Sequence, residues 1–213
     1  MARISVFGGT GYVGSNIARE AVRRGHQVTS ISRNVPDEQV DGVTYVQGSL
    51  LDGADRAQAL DGADVVVVAA APRGDMADSL RGGIGDLAAE AAAAGVRLGA
   101  IGGASALQVT EGGPRLFDGP EFPADYKPES LTMLGVLEDL QATDGLDWFY
   151  VRPPAMFGAF NPGEARGTYR VGGEVLLTDE NGVSDIGGAD FAAAIVDEIE
   201  TRAHQRTPFT VAY

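Results

Sequence analysis

A glycine-rich turn near the amino terminus constrains the fold of this chain more than any other feature. The segment Arg3–Phe7 predicts a short buried strand, and Gly8, Gly11 and Gly14 follow it at intervals of three residues. Residues 15–24 carry apolar side chains at helical spacing, which predicts an amphipathic helix. Glycines placed between a strand and a helix allow a tight turn, a close approach of the backbone to a ligand and close helix packing. The turn therefore predicts the first unit of a Rossmann-type domain.

The rest of the chain alternates between strand-like and helix-like segments. Further strands are expected at residues 27–32, 44–47, 63–71, 97–101, 147–152, 169–177 and 209–213. Further helices are expected at residues 56–60, 75–94, 129–143 and 190–202. This alternation predicts an α/β fold with a doubly wound parallel sheet and right-handed crossovers. Residues 1–213 are expected to form a single domain, in which residues 153–189 build a small substrate-side cap.

Charge and composition argue against several classes of partner. The formal net charge of −14 repels phosphate backbones and anionic lipids, so neither nucleic acid nor a membrane is expected to bind. No apolar run approaches the roughly 18–20 residues of a membrane span, and no secretory leader is recognisable, so a cytoplasmic location is expected. Cysteine is absent and His26 and His204 lack ligand spacing, so no metal site is expected. The oligomeric state is left open.

The glycine turn also predicts a nucleotide cofactor, because the free amides at the start of the following helix attract a pyrophosphate. The residues expected to contact it are Gly8, Thr10, Gly11, Tyr12, Val13 and Gly14.

The end of the second strand distinguishes NADP from NAD. Many NAD-binding proteins carry a carboxylate there for the ribose 2′-hydroxyl, whereas this chain has Ser32, Arg33 and Asn34. Arg33 can pair with a 2′-phosphate or stack on adenine, so NADP is favoured and NAD stays possible. The alternative for Arg33 is a solvated surface cation.

Two further segments are expected to complete the adenosine side of the site. Ser49 and Leu50 follow the third strand, where a side chain can flank the adenine. The small side chains of Ala69, Ala70 and Ala71 would let the backbone run close to the ribose, although simple core packing explains them too.

From these residues onward the chain resembles the atypical short-chain dehydrogenase/reductases. The closest resemblance is to the NADH-flavin reductase group, which is related to biliverdin-IXβ/flavin reductase and to NmrA-like proteins. Besides the glycine turn and the Ser-Arg-Asn segment, it rests on residues 102–105, 147–148, 153–157 and 206–213. The resemblance implies that Gly102 and Ser105 lie beside the nicotinamide ribose, and that Pro153 and Pro154 border the nicotinamide ring.

The chain departs from this family at several positions. Ser49 stands where the family often has Asp, and Ala155 stands where the biliverdin-type reductases have His. The Tyr-x-x-x-Lys pair of the orthodox enzymes is missing, because Tyr126 is followed four residues later by Ser130. The one lysine, Lys127, is adjacent to Tyr126, and Pro128 argues against a helix at this point.

Two functional hypotheses fit these residues. In the first, the chain is an NAD(P)H-dependent reductase of a flavin or quinone-like acceptor, which can take its proton from water. Ser105 would then hydrogen-bond the nicotinamide or the acceptor, with Tyr126 as a secondary catalytic candidate. In the second, the chain is an NmrA-like redox sensor that binds nucleotide without turnover. An apolar acceptor pocket is expected from Leu116, Phe117, Phe122, Met156, Phe157 and Phe160.

Overall fold

In the computed structural model, which describes residues Met1 to Tyr213, eight strands form one sheet. The strands are β1 (Arg3–Phe7), β2 (Gln27–Ser32), β3 (Val43–Gln47), β4 (Val65–Val68), β5 (Arg97–Ile101), β6 (Trp148–Arg152), β7 (Arg170–Gly172) and β8 (Thr207–Ala212). Their order is β3-β2-β1-β4-β5-β6-β8-β7, and only the pairing of β7 with β8 is antiparallel. The order of the strands reverses between β1 and β4, and open α/β sheets bind ligands at such a point.

Five helices cover the two faces of the sheet. They are α1 (Tyr12–Arg23), α2 (Gly53–Leu60), α3 (Leu80–Ala94), α4 (Lys127–Ala142) and α5 (Gly188–Thr201). One buried cluster joins α1 and α5 to one face through Ile17 and Ile195. The other cluster joins α3 and α4 to the opposite face through Leu87 and Leu137. The predicted doubly wound Rossmann-type fold is therefore confirmed. No helix is both long enough and apolar enough to cross a bilayer.

Two helix boundaries differ from the prediction in a way that matters for the site. Residues 75–79 do not belong to a helix that begins at Asp75. A 3-10 turn spans Gly74–Met76, where Gly74 has φ +59°, and α3 begins only at Leu80. Helix α4 begins at Lys127, so the prediction that Pro128 prevents a helix was wrong. Proline is tolerated there because the first amides of a helix have no intrahelical partner.

Strands β4 and β7 are also shorter than predicted. Strand β4 covers Val65–Val68, because residues 69–71 leave the sheet and turn towards the ligand side. Strand β7 covers Arg170–Gly172 and not residues 169–177, and it pairs only with β8 at the edge of the sheet. Between β6 and α5 the chain is otherwise irregular, apart from isolated bridges that join Met156 to Asp185, Gly158 to Asn161 and Val175 to Gln108.

Candidate functional site

The first turn of α1 is an open site for an anion. Gly11 is the N-cap residue, and no side chain caps this end of the helix. The amide of Ser15 donates to the carbonyl of Gly11, which begins the helical ladder. The amides of Tyr12, Val13 and Gly14 precede that bond and point out of the helix end. Since uncapped amides and the helix dipole together attract negative charge, this turn fits a pyrophosphate.

Close packing within the glycine turn explains why the sequence carries glycine at position 14. A Cβ atom at Gly14 would lie 2.3 Å from the carbonyl oxygen of Gly8 and 2.7 Å from the Cα of Gly9. Any side chain at this position would push α1 away from the turn and move the amides that precede it.

A cleft of about 320 Å³ extends from the glycine turn along the carboxyl ends of β1, β2, β3 and β4. Its lining includes predicted cofactor residues from all four strand ends, namely Gly8, Thr10, Gly11, Ser32, Arg33, Asn34, Ser49, Leu50, Ala69, Ala70 and Ala71. The sequence did not indicate its other lining residues, which are Phe7, Ile31, Gly48, Arg73 and Met76. The cleft lies at the reversal of strand order, so its position and its lining both fit an adenosine group.

Side chains below the cleft hold its backbone in place. The Ser32 hydroxyl accepts a hydrogen bond from the Thr10 amide at 3.3 Å, which joins the second strand end to the glycine turn. The Asp55 carboxylate accepts from the Ser49 amide at 2.7 Å. Arg56 is buried and donates to the Leu50 carbonyl at 3.0 Å. The wall after β3 is therefore fixed by α2, although Ser49 itself is not the Asp that the family often has there.

Arg33 is paired across the cleft with Asp75. The Arg33 guanidinium contacts both carboxylate oxygens of Asp75, and the side chains are 57% and 67% exposed. The hydrogen bond from Arg33 lowers the pKa of the Asp75 carboxyl below its ordinary value. Gln47 donates to the Arg33 carbonyl at 3.0 Å and so orients the end of β2. The cation that the sequence assigns to a 2′-phosphate thus already has an anionic partner.

The residues assigned to the nicotinamide side do not line this cleft. Gly102 follows β5 directly, and a Cβ atom there would lie 2.2 Å from the Tyr150 ring. Ser105 is half-buried in the 3-10 turn Ala104–Ala106. Pro153 and Pro154 are buried immediately after β6. All four follow β5 or β6, so they lie along the same carboxyl edge of the sheet as the cleft.

Tyr126 occupies the N-cap position of α4 and is 55% exposed. Its carbonyl accepts a hydrogen bond from the Ser130 hydroxyl at 2.8 Å. Lys127 is exposed in the first turn of the helix, one residue further along the chain. In the orthodox enzymes the lysine lies beside the phenol of the tyrosine. The side chains of adjacent helical residues point in different directions, so Tyr126 and Lys127 do not form such a pair.

Tyr12 joins the glycine turn to the segment predicted to form the cap. Its hydroxyl donates to the Pro162 carbonyl at 2.8 Å, and its ring lies 5.6 Å from the Phe157 ring. Burial raises the pKa of this phenol above its ordinary value. A Cβ atom at Gly188 would lie 2.5 Å from the Tyr12 hydroxyl, so the start of α5 leaves room for this side chain.

A second connection to the same segment comes from Arg152, which is buried at the end of β6. Its guanidinium donates to the Glu174 carboxylate at 2.8 and 2.9 Å and to the Gly173 carbonyl at 3.0 Å. Glu174 in turn accepts the amide of Gln108 through its carbonyl at 2.8 Å. The loop after β5 and the segment after β7 are therefore held together above the sheet.

The apolar residues predicted to line an acceptor pocket differ in burial, and Leu116 and Phe122 are half-buried. Phe117 is buried, and Phe157 packs against Phe191 with 4.4 Å between the ring centroids, so both belong to the packing of the protein. Met156 and Phe160 are 49% and 73% exposed. No group of three or more His, Asp or Glu side chains in the structure is placed to hold a metal ion.

Comparisons with known proteins agree with this geometry. A model of the NAD(P)H-binding family matches residues 8–202. The uncharacterised protein YwnB of Bacillus subtilis is 34% identical over 212 residues, which are 98% of this chain and 97% of that protein.

Two solved structures cover the whole chain. A Burkholderia pseudomallei protein, provisionally named an exported protein, is 40% identical with a TM-score of 0.88 and 100% coverage of both chains. A Streptococcus pneumoniae protein, provisionally named an NADH-flavin reductase, is 29% identical with a TM-score of 0.81, and the match covers 100% of this chain and 99% of that one.

Proposed function

The chain belongs to the NAD(P)H-binding family, and from this premise we propose that it is an NADPH-preferring reductase of a flavin or quinone-like acceptor. One observation carries the proposal. The uncapped first turn of α1 opens directly into a cleft that bears Arg33 at the reversal of strand order. Few ligands other than a dinucleotide need an anion site, a flat apolar cleft and a second cation in one line.

The residues of this chain fit each part of the nucleotide. The amides of Tyr12, Val13 and Gly14 would hold the pyrophosphate, because they face no side-chain cap. Leu50 and Met76 line the cleft and would flank the adenine. Arg33 would contact the adenosine end, where its guanidinium can form paired hydrogen bonds with a phosphate.

The acceptor side would be formed by the segments after β5 and β6. Bound reduced nucleotide supplies a hydride to the acceptor. Pro153 and Pro154 would border the nicotinamide and exclude water from one side of it. The Ser105 hydroxyl would hydrogen-bond the nicotinamide or the acceptor. A conjugated flat ring can take its proton from water, so the chain needs only to position donor and acceptor. Tyr126 is a secondary candidate for proton donation.

The name of the Streptococcus pneumoniae protein supports a flavin as acceptor. A cytoplasmic location is proposed as well, since reduced nicotinamide nucleotides are supplied there. The acceptor would be a small molecule, and neither nucleic acid nor a membrane is proposed as a partner.

A second candidate function is an NmrA-like sensor that binds nucleotide without turnover. The arrangement at Tyr126 favours it, because the phenol is exposed and no lysine lies four residues further along the helix. Nucleotide binding is common to both candidates, so the presence of turnover distinguishes them.

Oxidation of NADPH in the presence of acceptors tests the proposal directly. Purified protein is mixed with NADPH and with FMN, riboflavin or a soluble quinone, and the absorbance of the reduced nicotinamide is followed. Faster loss of absorbance than in the protein-free mixture is expected with at least one acceptor. Ser105→Ala should slow this reaction by a larger factor than it weakens nucleotide binding. Tight binding without turnover across the panel would favour the sensor, and absence of binding would reject both.

A further inference from the structure

We propose that Asp75 is a specificity-determining residue, whose carboxylate competes with the 2′-phosphate of NADP(H) for Arg33. The inference rests on the proposed function, because it assigns a second residue to the adenosine end of the same site. It goes beyond the assignment of Arg33, since it predicts how weakly this chain distinguishes the two nucleotides.

The position of the pair carries the first step. Arg33 follows β2 and lines the cleft, whereas Asp75 lies in the 3-10 turn after β4. In the sheet β1 lies between β2 and β4, so the pair reaches across the end of β1, where the glycine turn begins. Arg73 and Met76, which flank Asp75, also line the cleft. The pair therefore lies at the cleft itself and not on a remote surface.

The second step concerns the availability of each cation. The Arg73 guanidinium donates to the Glu129 carboxylate at 2.8 and 3.1 Å, so the neighbouring arginine has a partner of its own on α4. Asp75 is the one ion-pair partner of Arg33. Both contacts come from a single guanidinium nitrogen, Nη1, so a 2′-phosphate that binds this nitrogen must replace the carboxylate, and one that binds Nε or Nη2 meets it as a like charge.

The third step is chemical. A guanidinium binds carboxylate and phosphate oxygens with the same forked geometry, so one anion excludes the other from the same edge. When NADP(H) binds, Arg33 would exchange its contact with Asp75 for a contact with the 2′-phosphate. The Asp75 carboxylate would stay nearby and repel the phosphate as a like charge. NAD(H) has no 2′-phosphate and would leave the pair intact. Asp75 therefore reduces the advantage that Arg33 alone gives to NADP(H).

Removal of the carboxylate tests the inference. Asp75→Asn retains the shape of the side chain and removes its charge, and dissociation constants for NADPH and NADH are measured by calorimetry. We expect NADPH to bind about fivefold more tightly, which is the size of an exposed ion pair, and NADH to change by less than about twofold. Thermal melts verify that the exposed substitution leaves the fold intact.

The matched control is Asp78→Asn. Asp78 is exposed and lies three residues after Asp75 in the same segment. Its substitution changes the net charge by the same amount as Asp75→Asn. Its NADPH affinity should stay within about twofold of the wild type. In the Arg33→Ala background, Asp75→Asn should raise NADPH affinity by a smaller factor than it does in the wild type, because no competition for Arg33 is left.

Two results would overturn the inference while nucleotide binding is retained. One is an equal change, or no change, for NADPH and NADH in Asp75→Asn. The other is weaker NADPH binding, which would make Asp75 a direct contact of the nucleotide. If neither nucleotide binds the wild type, the proposed function fails and the inference fails with it.

Discussion

At the scale of single residues, the proposed preference for NADPH depends on Arg33. Its side chain lines the cleft, and the end of β2 offers no carboxylate for a ribose hydroxyl. Arg33→Asp should weaken NADPH binding by more than about tenfold, because a charge-assisted contact is replaced by repulsion. NADH binding should change little or improve. Fluorescence titration of both nucleotides measures the ratio.

The control for this substitution is Arg19→Asp, which makes the same charge change on the exposed surface of α1. It should leave the ratio of NADPH to NADH affinity unaltered. Unchanged NADPH affinity in Arg33→Asp would remove Arg33 from the site.

A second prediction at this scale concerns the Tyr12 hydroxyl. Tyr12→Phe retains the contact with Phe157 and removes the hydrogen bond to the Pro162 carbonyl. The free energy of unfolding should fall by about 1 kcal/mol, the usual value of one hydrogen bond. Nucleotide affinity should change by less than about threefold, since the amides of the turn remain. Urea denaturation and calorimetry measure the two quantities, and a large loss of nucleotide affinity with unchanged stability would contradict this division of roles.

Sequence reasoning at the residue scale found lining residues of the cleft where the sequence pattern is local. The glycine turn and Arg33 lie next to strands whose apolar pattern is plain, and both line the cleft. Asp75 could not be found in this way, because it lies 42 residues from Arg33 and was assigned to a helix. Arg73 was missed because it lies between the predicted strand at residues 63–71 and the predicted helix at residues 75–94. Contacts between segments that follow different strands require the strand order, which the local pattern does not contain.

At the scale of elements, the buried end of β6 depends on a carboxylate that comes from beyond β7. The hydrogen bond from Arg152 lowers the pKa of Glu174 below its ordinary value. The pair therefore stabilises the fold above the ordinary pKa of glutamate, about 4.3, and loses this effect as the pH falls through the lower folded value. Glu174→Gln should reduce the free energy of unfolding at neutral pH by about 2 kcal/mol, discounted because its carboxylate is half exposed.

The matched control is Glu180→Gln, which removes an exposed carboxylate from the turn after the same segment. It should change the free energy of unfolding by less than about 0.5 kcal/mol. Denaturant melts at neutral and acidic pH should show the difference between wild type and Glu174→Gln shrinking as the pH falls. A constant difference would mean that Arg152 does not depend on this charge.

Boundaries of elements were predicted less well than their existence. The start of α4 was misplaced because Pro128 reads as a helix breaker in the sequence, although the first turn of a helix tolerates it. The end of β4 was misplaced because Ala69, Ala70 and Ala71 continue an apolar run. Their small side chains serve the cleft and not the sheet. In both cases the effect of the residue depends on whether it lies inside the helix or strand or at its end.

At the scale of the whole molecule, the net charge of −14 should make stability depend on salt. Raising NaCl from about 0.01 M to about 1 M shortens the Debye length from about 30 Å to about 3 Å and screens repulsion among carboxylates. Exposed ion pairs lose strength at the same time, but each contributes less than about 1 kcal/mol. We therefore expect the Tm to rise by several degrees. KCl should raise the Tm to the same extent as NaCl. A Tm that falls with added salt would mean that the ion pairs contribute more to stability than the repulsion removes.

The architecture of the whole molecule followed from the alternation of strands and helices, which is a global pattern. The antiparallel edge formed by β7 and β8 did not, because the predicted strand at residues 169–177 carries no signal of its direction or of its partner. The segment before α5 is held instead by Tyr12 and by Arg152 with Glu174. Such single contacts are invisible in a pattern of apolar residues.

The lining of the cleft comes entirely from positions 7 to 76, whereas the segments that follow β5 and β6 occur later in the chain. In the proposed reductase, the parts of the chain that select the nucleotide and the acceptor would therefore be encoded separately. Mutation or recombination after position 76 would change the acceptor and leave the nucleotide preference as it was. A hybrid protein that keeps residues 1–76 of this chain should prefer the same nucleotide as its parent.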